Sequence, residues 1–438
     1  MAGNKKKGII QTKGKAGNPT NLPQKPRAER ALAAGLPQKM PSKSIAPAGS
    51  SAMLPFTERL LQWHNEDNHR LMPWKGEKDP YKIWLSEIIL QQTRVEQGLS
   101  YYEKFVRHYP SIAQLASAPE DQVFKDWEGL GYYSRCKNLI FTAKTIVKDY
   151  KGIFPDNYDQ ILSLKGIGPY TAAAISAFAF NKPYAVVDGN VFRVLSRFYG
   201  VDTPIDSTKG KQLFQKIAAE NLSQTEPAIY NQAIMDFGAT QCKPAAPLCG
   251  SCPMGDICQA KRTGRVMSLP KKEKTLQKKN RYISWIVMEL QSADPVLKPN
   301  KVTPDNKAHL NKKADRHPPL YYIQKRPAGD IWENLHEFYP IETESVPEWS
   351  LKPSLLIRML ENLLSIAPSS GPLSIEAICT VTQQLTHQKI HGYIYKLCLT
   401  SRPSIFPINN WYSAKKVNDL AFPKLLKNLQ IEAIPKQK

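Results

Sequence analysis

The stretch Trp84–Thr93, WLSEIILQQT, sets one carboxylate among Leu85, Ile88, Ile89 and Leu90. A glutamate on a solvated helix face has Lys, Gln and Ser for neighbours, whereas Glu87 is hemmed in by branched apolar side chains. Two readings are open. Glu87 is a surface residue of an amphipathic helix, or it is a carboxyl held in an apolar pocket, where desolvation raises its pKa and keeps its proton on. The second reading makes it an acid in search of a base to protonate.

The segments around this stretch read as helices. Apolar residues recur at three- and four-residue spacing through 56–67 (FTERLLQWHNED), 82–109, 111–130 and 138–150 (NLIFTAKTIVKDY). Ser and Asp lead several of these segments and Gly or Pro closes them. Residues 53–262 are therefore expected to form an all-α domain. Residues 263–280, TGRVMSLPKKEKTLQKKN, read as a basic linker, after which the period changes. RYISWIVMEL (281–290), PLYYIQKR (319–326) and KIHGYIYKL (389–397) look like strands, and PSLLIRMLENLLSI (353–366) like a helix. An α+β region over 281–432 follows, interrupted by a polar insertion at about 291–318.

The chain has 438 residues, with 60 Lys+Arg against 38 Asp+Glu, a formal charge of +22. Such an excess points to a polyanionic partner, most simply nucleic acid. Residues 1–52 hold ten of these cations and one Glu, with almost no apolar periodicity, and read as a disordered basic arm. The remainder is basic as well. The start carries no signal-peptide core, and the longest apolar run, TAAAISAFAF (171–180), falls short of the ~18 residues a membrane span needs. The expectation is a soluble intracellular monomer without a membrane partner. It would be cytoplasmic and nucleoid-associated in a bacterium, nuclear or mitochondrial in a eukaryote.

Four of the seven cysteines, Cys242, Cys249, Cys252 and Cys258, fall in CKPAAPLCGSCPMGDIC with spacing C-x6-C-x2-C-x5-C. Structural zinc favours two C-x2-C knuckles separated by a dozen or more residues. Four thiolates from one compact loop suit a 4Fe–4S cubane, whose irons need one Cys each. Zinc stays the alternative. LKGIGPYTAAAI (164–175) is a Gly-x-Gly turn opening a small-residue helix. Gly166 and Gly168 allow close backbone approach, and the N–H groups that follow point at an anion. This is the hairpin of a helix–hairpin–helix, about residues 163–176, which grips DNA phosphate without reading bases. Further on, Asp188 ends an apolar run and precedes Gly189, Asn190 and a helical segment. It reads as an N-cap kept ionised by the helix N-terminus. Two carboxyls in opposed environments, Glu87 toward the acid and Asp188 toward the anion, are what cleavage of a glycosidic bond needs.

In their order, MPWKGEKDPYKIWLSEIILQQTRVE, GLGYYSRCKNL, LKGIGPYTAAAI, VVDGNVFRVLSR and the cysteine loop resemble the helix–hairpin–helix DNA glycosylases, and among them the MutY-type adenine DNA glycosylases. The resemblance covers about residues 54–432. It implies that Glu87 protonates a flipped adenine at N7 in duplexes pairing adenine with 8-oxoguanine or guanine. It implies further that Asp188 stabilises the sugar cation and Asn190 orients it. Tyr170 stands where lyase-competent relatives of the endonuclease III type carry a Schiff-base lysine, so no β-elimination is implied; Lys165 belongs to the hairpin turn. Gln92 matches the family's wedge into the base stack, and Thr93 and Tyr132 its contacts around the opposing lesion. YYIQKRPAGDIWENLHEFYPIE (321–342) and QLTHQKIHGYIYKL (384–397) resemble a Nudix-like reader of 8-oxoguanine without the hydrolase's metal carboxylates. The family's Phe-Ser-His loop stands as Leu385-Thr386-His387, and its frequent Trp-Arg as Trp74-Lys75. The rivals are a bifunctional endonuclease III-type glycosylase/lyase and a non-catalytic DNA-binding scaffold.

Overall fold

The computed structural model describes residues 56–273, 278–291, 318–365 and 373–427. The basic arm, the middle of the linker, the polar insertion and residues 428–432 of the C-terminal region lie outside them.

The helix carrying Glu87, Pro80–Leu90, buries Tyr81, Ile83, Trp84, Leu85, Ser86, Ile88 and Ile89. A helix apolar on nearly every side has to be wrapped by others. Asp79 caps it by accepting from Tyr81 N at 2.9 Å, and Pro80 presets its first turn. The hairpin helix Pro169–Phe180 packs against it, burying its small side chains from Thr171 to Ala177. The long repeat at 82–109 is two helices, Pro80–Leu90 and Val95–His108, parted at Gln91–Arg94, where Gln92 takes a left-handed φ of 53°.

The helical region has two cores. One is built on Trp84, Phe105, Trp127 and Ile175, the other on Trp63, Leu195, Phe214 and Phe237. The second joins the first helix, Phe56–Glu66, to Gly189–Tyr199 and Pro227–Thr240 from the far end of the region. Glu87 rides on the first lobe and Asp188 on the second.

The C-terminal strands are β1 (Lys279–Leu290), β2 (Leu320–Tyr322), β3 (Gln324–Lys325), β4 (His336–Glu337), β5 (Tyr339–Thr343), β6 (Ile375–Gln384), β7 (Gln388–Leu399) and β8 (Trp411–Ser413). The main sheet runs β6-β7-β1-β2-β8, with β5 also paired to β1; β3 and β4 pair separately. Strand β1 lies parallel to β7 along its whole length and antiparallel to β2 and β5. Its side chains alternate between two cores. Ile283, Trp285 and Val287 join the core that also holds Trp127, while Ile286, Met288 and Leu290 pack with Leu356, Leu360 and Leu364 of the helix Pro353–Leu364. Burial on both faces explains why this strand reads as a continuous apolar run.

The sheet region is thus distinct in pattern but shares a core with the helices. Charged groups pin the seam: Lys325 Nζ to Asp121 Oδ1 at 2.7 Å, Lys125 Nζ to Leu420 O at 2.9 Å, and Phe422 N to Glu128 Oε1 at 3.0 Å. The stretch read as a linker begins as a built part of the helical region. Leu269 is buried, its carbonyl accepts from Arg197 Nε at 3.1 Å, and Lys271 O accepts from Ile205 N at 3.0 Å. Among the described residues no helix is long and apolar enough to cross a membrane.

Candidate active site

Glu87, Tyr170, Asp188 and Asn190 line one cavity of about 410 Å³ where the two helical lobes meet, within the usual volume of small-molecule pockets. Trp74, Lys75, Leu90 and Thr93 complete much of its wall. Glu87 is partly exposed, and what it is exposed to is this cavity. Desolvation lifts its carboxyl to about 7, a hydrogen bond from Tyr170 opposes the rise, and the nearby Asp188 charge adds to it. Burial and the same two carboxylates push the Tyr170 phenol far up, so it remains a neutral donor.

Asp188 caps the helix Gly189–Tyr199. Its Oδ1 accepts from Val191 N and its Oδ2 from Asn190 Nδ2, each at 2.7 Å. The sequence placed Asp188 on the anionic side. The expected cap is there and favours the anion, but desolvation outweighs it, and the carboxyl is raised from its ordinary value. The contrast with Glu87 is in the opposing donors. Val191 N–H, Asn190 and the Arg193 charge all hold Asp188 down, whereas Tyr170 alone does so for Glu87.

Arg193 orders this corner. It donates to Asn190 Oδ1 at 2.8 Å, Gly238 O at 2.7 Å and Cys242 O at 2.8 Å. A third carboxylate, Asp236, is buried near the cavity wall, bonded by Arg70 Nη1 at 2.8 Å and Asn68 Nδ2 at 2.9 Å and paired with Lys75 Nζ at 3.2 Å. Neither Arg193 nor Asp236 was singled out from sequence. Asp236 carries the same signal as Glu87, one acid inside an apolar helical run, YNQAIMDFGAT.

The residues assigned to the opposite base gather on one surface. The Tyr132 hydroxyl donates to Gln92 Oε1 at 2.7 Å and meets the hydroxyl of Thr386. Thr386 and His387 form the turn between β6 and β7, where Lys279 N bonds His387 O at 3.0 Å. Thr93 sits apart from that cluster, at the cavity. In the hairpin, Gly166 has φ +80°, and a Cβ there would stand 2.7 Å from Asn138 Cβ. A Cβ on Gly168 would meet nothing within 4 Å. Gly168 begins the helix Pro169–Phe180 without a side-chain cap, leaving its first N–H groups to an outside acceptor. Lys165 Nζ lies over the Phe141 ring, 4.5 Å from its centroid.

Cys242, Cys249, Cys252 and Cys258 line a second, mostly apolar cavity with Phe198, Leu248 and Met254. Arg197 shapes the loop by donating to Lys243 O at 2.7 Å and Pro244 O at 2.9 Å, and its Nη1 lies 3.5 Å from Cys242 Sγ. Among the described residues no three His, Cys, Asp or Glu side chains converge on a single metal position; the four thiols stand around the cavity wall. Burial and mutual repulsion push Cys252 up to about 11 and raise Cys258. The donor set fits an iron–sulfur cluster. Cys136 is buried away from this loop, while Cys379 and Cys398 lie on β6 and β7.

Residues 85–220 match the HhH-GPD superfamily of base excision DNA repair proteins. Residues 85–220 are a domain of that superfamily. The chain is 29% identical over 384 residues to the adenine DNA glycosylase of Buchnera aphidicola subsp. Acyrthosiphon pisum, covering 86% of this chain and 97% of that one. It is 35% identical over 241 residues to the namesake from Buchnera aphidicola subsp. Baizongia pistaciae, covering 54% of this chain and 66% of that one. Among solved structures, a thermostable thymine-DNA glycosylase is similar at 30% identity and a TM-score of 0.44, over 48% of this chain and 95% of that one. Glu87, Tyr170, Asp188 and Asn190 fall inside the matched span, whereas much of the rest of the pocket wall, the cysteine loop and the sheet region lie outside it.

Proposed function

We propose that the chain is a monofunctional adenine DNA glycosylase that hydrolyses the N-glycosidic bond of adenine paired with 8-oxoguanine or guanine in duplex DNA. One observation carries this: Glu87, Tyr170, Asp188 and Asn190 line a single pocket in a base-excision repair fold. With its carboxyl lifted to about 7, Glu87 still holds a transferable proton near neutrality. It donates that proton to the departing adenine, making a neutral leaving group. The Tyr170 hydroxyl hydrogen-bonds to Glu87 and fixes its orientation. Asp188, locked by Asn190 and Val191 N, offers its negative charge to the oxocarbenium-like sugar. Water completes the hydrolysis.

Both amines at the pocket are engaged: Lys75 with Asp236, and Lys78 with Phe178 O at 3.2 Å. That supports hydrolysis over a Schiff-base lyase route, and so favours this reading over the endonuclease III-type alternative. The hairpin at Gly166 and Gly168 grips a phosphate. Thr386, His387, Tyr132 and Gln92 form the side that senses the opposing base, Thr93 contributes from the pocket edge, and the sheet region acts as a Nudix-like reader. Cys242, Cys249, Cys252 and Cys258 would hold one 4Fe–4S cluster, which when bound supplies a rigid anchor for the loop rather than a reacting centre.

The deciding experiment is single-turnover excision on duplexes presenting adenine opposite 8-oxoguanine, guanine and thymine, assayed with and without alkali. Release from the first two, with strand breaks only after alkali, is expected. Release from none of the three, or nicking without alkali, overturns the reading.

A further inference from the structure

Arg135 is a guanidinium only 8% exposed, lying between the surface that faces the opposite base and the helix that carries Glu87. Its Nη1 donates to Ile88 O, Ile89 O and Gln91 O, each at 2.8 Å. These carbonyls close the C-terminal end of the helix Pro80–Leu90, where orphan acceptors and the negative end of the dipole both favour a cation. Its Nη2 reaches Thr93 Oγ1 and Gly131 O, both at 3.3 Å. The guanidinium also sits over the rings of Trp127 and Tyr132, 5.2 and 5.5 Å from their centroids.

Two of these acceptors have a shared meaning. Gln91 precedes Gln92 and Gly131 precedes Tyr132, the two residues here other than glycine with left-handed backbones, φ 53° and 46°. A side chain other than glycine stays in that region only where its surroundings over-determine it. Arg135 bonds the carbonyl just before each. It therefore fixes the pair Gln92–Tyr132, which touches Thr386 of the sheet region, and in the same grip fixes the end of the helix that aims Glu87.

We propose that Arg135 is the positioning residue that makes adenine excision depend on the opposite base: it joins Gln92 and Tyr132 to the Glu87 helix as one rigid unit, so that contact at Tyr132 sets the placement of the acid. This rests on the adenine glycosylase reading. A purely structural arginine would support the helix equally whichever base stood opposite. Coupling of this kind is measurable as a difference between substrates and as non-additivity between mutations.

Arg135→Lys keeps the cation but loses the planar fork and the stacking surface. Single-turnover rates at saturating enzyme are compared for adenine opposite 8-oxoguanine and opposite guanine. The ratio of the two rates is expected to fall at least about fivefold, and adding Thr386→Ala to lower it little further, as coupled sites do. Equal losses on both duplexes, or independent effects of the two substitutions, overturn the proposal. A second measurement does not depend on how well the arginine variant folds. In the full chain carrying Glu87→Gln, hydrogen exchange of Ile83–Leu90 is followed with each duplex bound. Stronger protection opposite 8-oxoguanine than opposite guanine is expected, and identical protection overturns the proposal. Parent protein that releases adenine from neither duplex would remove the adenine reading itself, before Arg135 is touched.

Discussion

Asn190 Nδ2 donates to Asp188 Oδ2 at 2.7 Å, and the amide cannot turn away because Arg193 Nη2 holds its oxygen at 2.8 Å. Asp188→Asn keeps the shape and removes the charge, and should slow excision by on the order of 10²–10³-fold, the scale of one lost electrostatic stabiliser. Asn190→Ala leaves the charge but frees it to rotate, with an expected loss of up to about 10²-fold. Single-turnover rates check both. An Asn190→Ala enzyme as fast as the parent would show that the orientation of Asp188 is immaterial.

With Glu87 acting protonated and Asp188 ionised, excision should decline as pH rises through about 7 and should also fall at the acid end, where the raised Asp188 carboxyl takes up its proton. Glu87→Gln cannot donate an acid proton and should lose about 10²–10⁴-fold in rate while still binding duplex. The same residue weakens the fold. Because its folded pKa, about 7, lies above its ordinary 4.5, its contribution to stability is greatest below the lower value and is lost as pH rises through the upper one. Glu87→Gln should therefore be more stable than the parent at pH 8, by on the order of 3 kcal/mol. Chemical denaturation at pH 5 and pH 8 tests this; an equal effect at both would contradict the shift.

The two hairpin glycines should respond differently. Gly166→Ala meets both a positive φ and Asn138, and should cost about 1–3 kcal/mol together with duplex affinity. Gly168→Ala has room and an extended backbone, so the fold should tolerate it. Paired thermal melts and binding to an undamaged duplex separate fold from phosphate grip.

Protein prepared anaerobically should be brown and carry about four irons per chain, one for each of Cys242, Cys249, Cys252 and Cys258. Stoichiometric zinc without iron would replace the cluster assignment by the other reading of these thiols.

Thr386→Ala with His387→Ala should slow excision opposite 8-oxoguanine more than opposite guanine. One or two neutral hydrogen bonds are worth on the order of 1–3 kcal/mol, so the preference should shrink about tenfold or more. An unchanged ratio of rates would leave Thr93 and Tyr132 as the readers.

The helices around Glu87 were legible because period and caps agree in sequence: Asp79 and Ser111 stand where the apolar repeats begin, and both cap. The break at Gln91–Arg94 was not, since its left-handed Gln92 is sustained by Arg135 from more than forty residues away. Asp236 carries a local signal, an acid in an apolar run, but its partner Arg70, 166 residues distant, carries none. Strands β1 and β7 announce themselves by apolar runs, but β6 does not. It has one strand neighbour, buries none of its residues fully, and shifts register between Ala377 and Cys379, which blurs the alternation a reader looks for. Residues 263–273 look like a linker because their anchors, Arg197 and Ile205, lie in other segments.

The seam at Glu128 has a consequence for how the chain comes into being. Phe422 and Leu426 belong to the core that also contains Phe105 and Trp127, and Phe422 N–H is a donor to the buried Glu128 carboxylate. Phe422 is synthesised 294 residues after Glu128. While Phe422 and Leu426 are still in the exit tunnel, the helices that hold Glu87 are already outside with part of their apolar surface uncovered. That core therefore closes only once residue 426 has emerged, and nascent chains stalled before residue 420 should be the species that chaperones and proteases engage.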